Sequence, residues 1–234
     1  DDSGVSIGAA LHGYYEAEPD GPRSCLEHNY LGPEFSTDEV GKLVTNFGLK
    51  AEKQNNIEAT TAQLLADGKL VGWFQGRMEF GQRALGNRSI LADPRNADTQ
   101  ARVNLAVKFR EKFRPFAPAI LEERAEEYFE LDAGVSVPFM ERVYPVKADK
   151  RDEIPAVVFV DGSGRLQTVS TRTNPRFHKL ISAFEELTSV PVLLNTSFNL
   201  NGEPIVCSPT DAIRTFFSCG LDALVIEDWL ILKQ

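Results

Sequence analysis

One stretch constrains the rest of the chain. Residues 72–118 read GWFQGRMEFGQRALGNRSILADPRNADTQARVNLAVKFREKFRPFAP. From position 77 to 114 they hold nine Lys or Arg against four Asp or Glu, within a 234-residue chain of net charge −9. A basic island in an acidic protein has two readings: a solvated helix face, or a pocket for an anion such as phosphate. Many of the cations are Arg, whose planar fork grips phosphate or carboxylate bidentately. They alternate with apolar residues and with Gly76, Gly81 and Gly86, so they do not form one polar stripe at helical spacing. The glycines allow backbone to turn, or to approach a ligand, where a side chain would clash. The pattern favours a pocket.

Composition sets the outer bounds. At 42% hydrophobic and 25% charged residues the chain can bury an ordinary globular core. No apolar run approaches the roughly 18 residues needed to span a bilayer. The N-terminus lacks the basic region of a signal peptide and an initiator Met, which suggests a piece of something longer. Three scattered cysteines (Cys25, Cys207, Cys219) argue against a disulfide framework and fit a reducing cytoplasm. His12, His28 and His178 have no metal-ligand spacing. The acidic total argues against nonspecific nucleic-acid binding, although a local basic groove could hold RNA with Phe residues as stacking platforms.

Taken in order, the first 15 residues read as a loop entering a small-residue helix, with Asp2 as a cap or a ligand-facing carboxylate. Residues 16–32 read as an exposed connection. Ser36 to Glu39 signals a helix start, with apolar Val40, Leu43, Val44 and Phe47 following and Gly48 as stop. Residues 57–67 predict a second helix. Residues 70–75 (LVGWFQ) predict a buried strand that delivers the chain into the Gly/Arg loop, the place where α/β folds put ligands.

Residues 97–107 predict a helix. In KFREKFRP (108–115) aromatic and basic residues alternate, as in a strand with one buried and one charged face. Strands are expected at 116–121, 139–146, 156–160 and 166–171, with Asp161-Gly162-Ser163-Gly164 as a hairpin turn between the last two. Residues 122–129 predict an acidic helix and 176–188 an amphipathic one. The apolar strand at 190–194 runs into NTSFNLNGEP, which is either an Asn/Gly turn or a polar cluster facing a ligand. A helix at 209–219, capped by Ser208, and strands at 221–226 and 229–232 end the chain. About eight strands and five or six helices in mixed order argue for an open α/β sheet with parallel and antiparallel strands, flanked by helices.

Four segments together resemble one family. GRMEFGQRALGNRSILADPR (76–95), KFREKFRPFAP (108–118), VPVLLNTSFNLNGEPIV (190–206) and SPTDAIRTF (208–216) are similar to the C-terminal half of O-carbamoyltransferases of the NodU/CmcH type, from nodulation-factor and antibiotic biosynthesis. The resemblance implies a YrdC-like domain with a twisted mixed sheet at 55–234. Residues 1–50 would be the remnant of a preceding Kae1-like domain and its linker. It implies that carbamoyl phosphate and ATP, with Mg²⁺, yield carbamoyl-AMP, and that the preceding domain passes the carbamoyl group to a hydroxyl acceptor. Threonylcarbamoyl-AMP synthases are similar enzymes, which use threonine and bicarbonate instead. Nucleic acid and membrane are not expected partners.

The resemblance also implies roles for residues. Arg83, Lys108 and Arg114 would clamp the reacting anion. Arg172, Asn195 and Ser197 would contact nucleotide or carbamoyl phosphate. Arg77 and Arg88, beside Asn87, would do the same unless they stabilise the loop through Glu79 or Asp93. Asp2 matches a metal-ligating Asp, for Fe²⁺ or another divalent ion in the full-length protein. The family's paired metal-binding histidines are absent from this chain.

Overall fold

The structure, a computed structural model, describes residues 4–23, 25–111 and 114–233. Seven helices and nine strands are described. The helices are α1 (Gly4–Ala17), α2 (Thr37–Asn46), α3 (Ile57–Ala66), α4 (Asp98–Val103), α5 (Ala125–Tyr128), α6 (Pro175–Thr188) and α7 (Pro209–Phe217). The strands are β1 (Ala51–Lys53), β2 (Val71–Phe74), β3 (Arg88–Ala92), β4 (Ala117–Leu121), β5 (Arg142–Pro145), β6 (Ser163–Val169), β7 (Val192–Ser197), β8 (Ala223–Ile226) and β9 (Trp229–Leu232). They form one sheet in the order β1-β9-β8-β2-β3-β7-β4-β6-β5. The β2–β8 and β4–β6 pairs are parallel and the others antiparallel, so the sheet is open and mixed.

Local chemistry explains the helix ends. Ser36 and Glu39 close a capping box at α2, and Ser208 and Asp211 close another at α7. Asn174 caps α6 with Pro175 as its first residue, a position where the missing N–H costs nothing. α3 and α6 pack together beside the sheet. Their apolar faces join the strands in a core that includes Trp73, Phe74, Phe116, Phe177, Phe184, Phe198 and Phe216. Among the described residues, no helix is long and apolar enough to cross a membrane. α1 buries none of its residues.

The sequence pattern misses β3. This fully buried strand begins with an arginine and pairs antiparallel with β2, Phe74 opposite Arg88. The Gly/Arg segment 75–87 is therefore the connection of a central hairpin. The described residues of 108–115 do not form the expected strand. α4 runs on through a π turn, Asn104–Lys108, and Phe109 turns back in the left-handed region at φ 45°. Lys108 is drawn inward by backbone and side-chain oxygens of Ser197 and Asn199. Residues 156–160 are not a strand either. Pro155 opens a short 3-10 turn, and Ala156 N–H goes to Pro94 O instead of a strand partner. The Asp161–Gly164 turn forms, but β6 pairs with β5 at 142–145.

Gly86 shows how tightly the central hairpin is set. Its φ is 105°, and a Cβ there would lie 2.6 Å from Phe177 Cγ. Gly86→Ala is expected to cost about 3 kcal/mol or more, from left-handed strain plus overpacking. Chemical unfolding of the variant measures the loss directly.

Candidate functional site

The Gly/Arg loop is built from its two ends. At its start, Glu227 Oε1 accepts the Gly76 N–H at 2.7 Å. At its end, Glu79 Oε1 accepts N–H groups from Leu85 (2.6 Å), Asn87 (2.7 Å) and Arg88 (3.3 Å). Beneath it lies the buried Arg88 side chain, stacked 3.5 Å over the Phe74 ring. Its guanidinium donates to the carbonyls of Gln75, Gly76, Asn87 and Pro33. Burial pushes Arg88 down to about 10, with Glu79 and Glu227 opposing the shift. The loop carbonyls are taken as well. Trp73 Nε1 and Gln75 Nε2 donate to Gly86 O, while Tyr30 and Gln167 donate to Leu85 O.

This frame holds one wall of a small cleft of about 100 Å³. Its lining includes Arg83 from the loop, Arg110 from the turn after α4, Arg165 from β6, and Asn195, Thr196 and Ser197 from β7. No Asp or Glu is among its lining residues. Arg110 is held by Nε to Asn104 Oδ1 at 2.8 Å and lies over Phe116 at 4.8 Å. Burial, and then the nearby Arg114 charge, hold its pKa below the usual arginine value. Asn195 is buried; its Nδ2 donates to Gln167 Oε1 at 2.8 Å and Ala84 O at 3.2 Å. Its Oδ1 is buried without a hydrogen-bond partner.

Lys108 sits behind Ser197. Its buried Nζ approaches Ser197 O at 2.6 Å, Ser197 Oγ at 3.2 Å, Asn199 Oδ1 at 2.7 Å and Asn199 O at 3.0 Å. Ser197 Oγ in turn donates to Asn199 Oδ1 at 2.7 Å. These acceptors are all neutral. Burial, and then the Arg110 charge, lower Lys108 to about 7.

Of the residues expected from sequence, Arg83, Asn195 and Ser197 meet at the cleft, with Lys108 one contact behind. Arg114 is exposed and pairs with Glu111 at 2.9 Å, near enough to Arg110 to depress it. Three arginines lie elsewhere. Arg88 is spent on loop carbonyls, Arg77 is exposed and donates to Leu31 O, and Arg172 pairs with Glu27 at the surface. Asp2 lies outside the described residues. Sequence reasoning missed Arg110 and Arg165, and it placed Asn199 in the NTSFN cluster without giving it a role of its own. Arg110 had been placed on a charged strand face, and Arg165 follows a turn with no local signal at all.

The basic island is thus dispersed. Arg95 pairs with Asp93 at 2.7 Å and Arg102 donates to Gly68 O, leaving Arg83 and Arg110 from it at the cleft. Among the described residues, no group of three or more His, Cys, Asp or Glu could hold a metal ion. A larger groove of about 520 Å³ beside β8 and β9 mixes charges (Lys69, Asp222, Lys233) and lacks this convergence of one sign.

Comparison with known proteins adds a family. Residues 62–233 match the carbamoyltransferase C-terminus family. The nodulation protein NolO of Bradyrhizobium diazoefficiens is 47% identical, over all of this chain and 43% of its own length. A 3'-hydroxymethylcephem-O-carbamoyltransferase from Amycolatopsis lactamdurans is 42% identical over 70% of the chain and 31% of its own length. The chain spans less than half the length of these relatives. Among solved structures, full-length HypF in a phosphate- and nucleotide-bound form aligns over 76% of this chain and 22% of its own, at 16% identity and a TM-score of 0.49.

Proposed function

Since the chain belongs to the carbamoyltransferase family as its C-terminal part, we propose that its cleft binds carbamoyl phosphate and ATP and forms carbamoyl-AMP. The observation that carries this reading is three arginines converging on a cleft with no acid in its lining, beside an unpartnered buried amide oxygen. The cations suit phosphate oxygens. Asn195 Oδ1 suits the N–H of a carbamoyl group.

The chemistry runs in two displacements. Water cleaves carbamoyl phosphate to carbamate and inorganic phosphate. A carbamate oxygen then attacks the α-phosphorus of ATP, the bond from that phosphorus to the bridging oxygen breaks, and pyrophosphate leaves with the electron pair. Charge develops on phosphoryl oxygens in both steps. Arg83, Arg110 and Arg165 line the cleft where that charge would develop, and Arg110 is already held there by Asn104 Oδ1. Lys108 holds the turn at Ser197 and Asn199 and adds a cation behind it. No nucleophilic side chain is required. Bound Mg²⁺ would neutralise charge on the nucleotide phosphates. The arginine lining does not suit metal ligation, so the phosphates themselves would supply its ligands.

In this reading α1 is the remnant of the preceding Kae1-like domain, which holds any divalent metal and passes the carbamoyl group to a hydroxyl. The linker from Tyr30 onward, with Val40 and Val44 in the main core and β1 paired to β9, packs with residues 55–234 as the adenylate-forming domain. A cytoplasmic location fits this reading, since the three cysteines are free and ATP would be the substrate. Purified chain is expected to release pyrophosphate from ATP only when carbamoyl phosphate is present. Release that ignores carbamoyl phosphate, or that requires threonine and bicarbonate, would reject this assignment.

A further inference from the structure

We propose that Glu79 is the positioning residue of the cleft, holding Arg83 in place through the loop between them. The inference rests on reading the cleft as an anion site. Glu79 and Arg88 divide the backbone of the central hairpin between them. The carboxylate collects the N–H groups of Leu85, Asn87 and Arg88, and the guanidinium collects the carbonyls of Gln75, Gly76 and Asn87. Neither side chain is among the cleft's lining residues. Arg83 lies between Glu79 and Leu85, on the segment that these bonds close into a ring.

The geometry resembles an anion held in a nest of backbone amides. Here the anion is internal. One oxygen of Glu79 takes all three N–H groups, and the other, Oε2, is buried with no hydrogen-bond partner. Burial pushes the carboxyl up, while the loop N–H groups and Arg88 oppose that shift. Bonds to an ionised acceptor are about twice as strong as neutral ones. A charged Glu79 therefore tightens the loop more than an amide in the same place would. The loop is also fixed to the opposite wall, since Ala84 O accepts from Asn195 Nδ2. Slackening at Glu79 would move Arg83 relative to Asn195, and the guanidinium would have to be reordered on each binding event.

Glu79→Gln isolates this role, because it keeps the acceptor and the shape and removes the charge. The probe is inorganic pyrophosphate, titrated calorimetrically into the 234-residue chain, Glu79→Gln, Arg83→Ala and the double variant. Arg83→Ala is expected to weaken binding roughly 30-fold, as the loss of a charge-assisted contact. Glu79→Gln is expected to weaken it about tenfold alone, but by less than about threefold when Arg83 is already Ala, since coupled sites are not additive. A merely structural role predicts the same factor in both backgrounds, and that result would overturn the proposal. So would Glu79→Gln binding as tightly as wild type while Arg83→Ala is weakened. Wild type that binds no pyrophosphate would instead reject the anion cleft itself, and this inference with it. Should Glu79→Gln not fold, hydrogen exchange of the wild type decides. The Leu85 and Asn87 amides should exchange far more slowly than those of Gly81 and Gln82, and slow by a further factor of about ten with pyrophosphate bound. Equal exchange at the four positions, or no response to pyrophosphate, would refute the coupling.

Discussion

Arg165→Ala and Arg110→Ala are each expected to lower carbamoyl-phosphate-dependent pyrophosphate release by about 10²–10³-fold, and Arg172→Ala by less than about threefold. The contrast follows from placement. Arg110 and Arg165 line a narrow cleft with Arg83, and no Asp or Glu is among its lining residues. A cation facing developing negative charge in a narrow, partly buried site is worth several kcal/mol, because the surrounding dielectric is lower than in bulk water. Arg172 spends its guanidinium on Glu27 at the surface, where an ion pair is worth at most about 1 kcal/mol. Folding should survive all three changes. Arg165 contributes to β6 through backbone pairing with Val143, which alanine retains, and Arg110 lies in a turn. Steady-state kinetics with melting curves on the same samples make the comparison. Arg172→Ala as damaging as Arg165→Ala, at unchanged stability, would move the site out of the cleft.

These residues also mark how far the sequence could be read. The strand entering the Gly/Arg loop, the caps at Ser36 and Ser208, and the mixed sheet follow from local patterns that the structure repeats, whereas β3 on the far side of that loop does not. What local pattern could not supply was direction. The basic residues look alike in the chain, yet those the structure describes diverge in the fold. Arg88 is buried in the core because the adjacent carbonyls need donors, Arg95 is held by Asp93, and Arg102 reaches back to Gly68 O. The alternation in KFREKFRP reads as a strand until a π turn breaks the period, and no local rule predicts that the Lys108 ammonium will be drawn in by Ser197 and Asn199, about ninety positions away. Arg165 had no signal because its partners at the cleft come from three other parts of the chain. Arg83, Asn195 and Ser197 were found through long motifs matched to a family, not through spacing.

Lys108 should make both stability and anion affinity respond to pH near neutrality. Its amine is lowered to about 7 in the fold, against an ordinary lysine value of 10.5 when the chain unfolds. Below pH 7 both states are protonated, and the cost of burying the charge is borne in full. Between about 7 and 10.5 the unfolded chain binds the extra proton, so stability rises with pH across that window. The full amplitude is on the order of 3–5 kcal/mol. Lys108→Met removes that rise, so the difference between the two stability–pH curves isolates it from other titrating groups. Anion binding has the opposite slope. The ammonium is cationic below pH 7 and neutral above, so attraction for phosphate weakens as pH rises through 7. A bound anion favours the charged form, so wild type should take up a proton on binding pyrophosphate at pH 8. Lys108→Met should take up none, and its turnover should fall by at least about 100-fold, because Ser197 and Asn199 lose the donor that orders their turn. Calorimetry in buffers of different ionisation enthalpy reads the proton directly. Equal uptake in the two proteins would assign the titration to another group and leave Lys108 as a neutral strut.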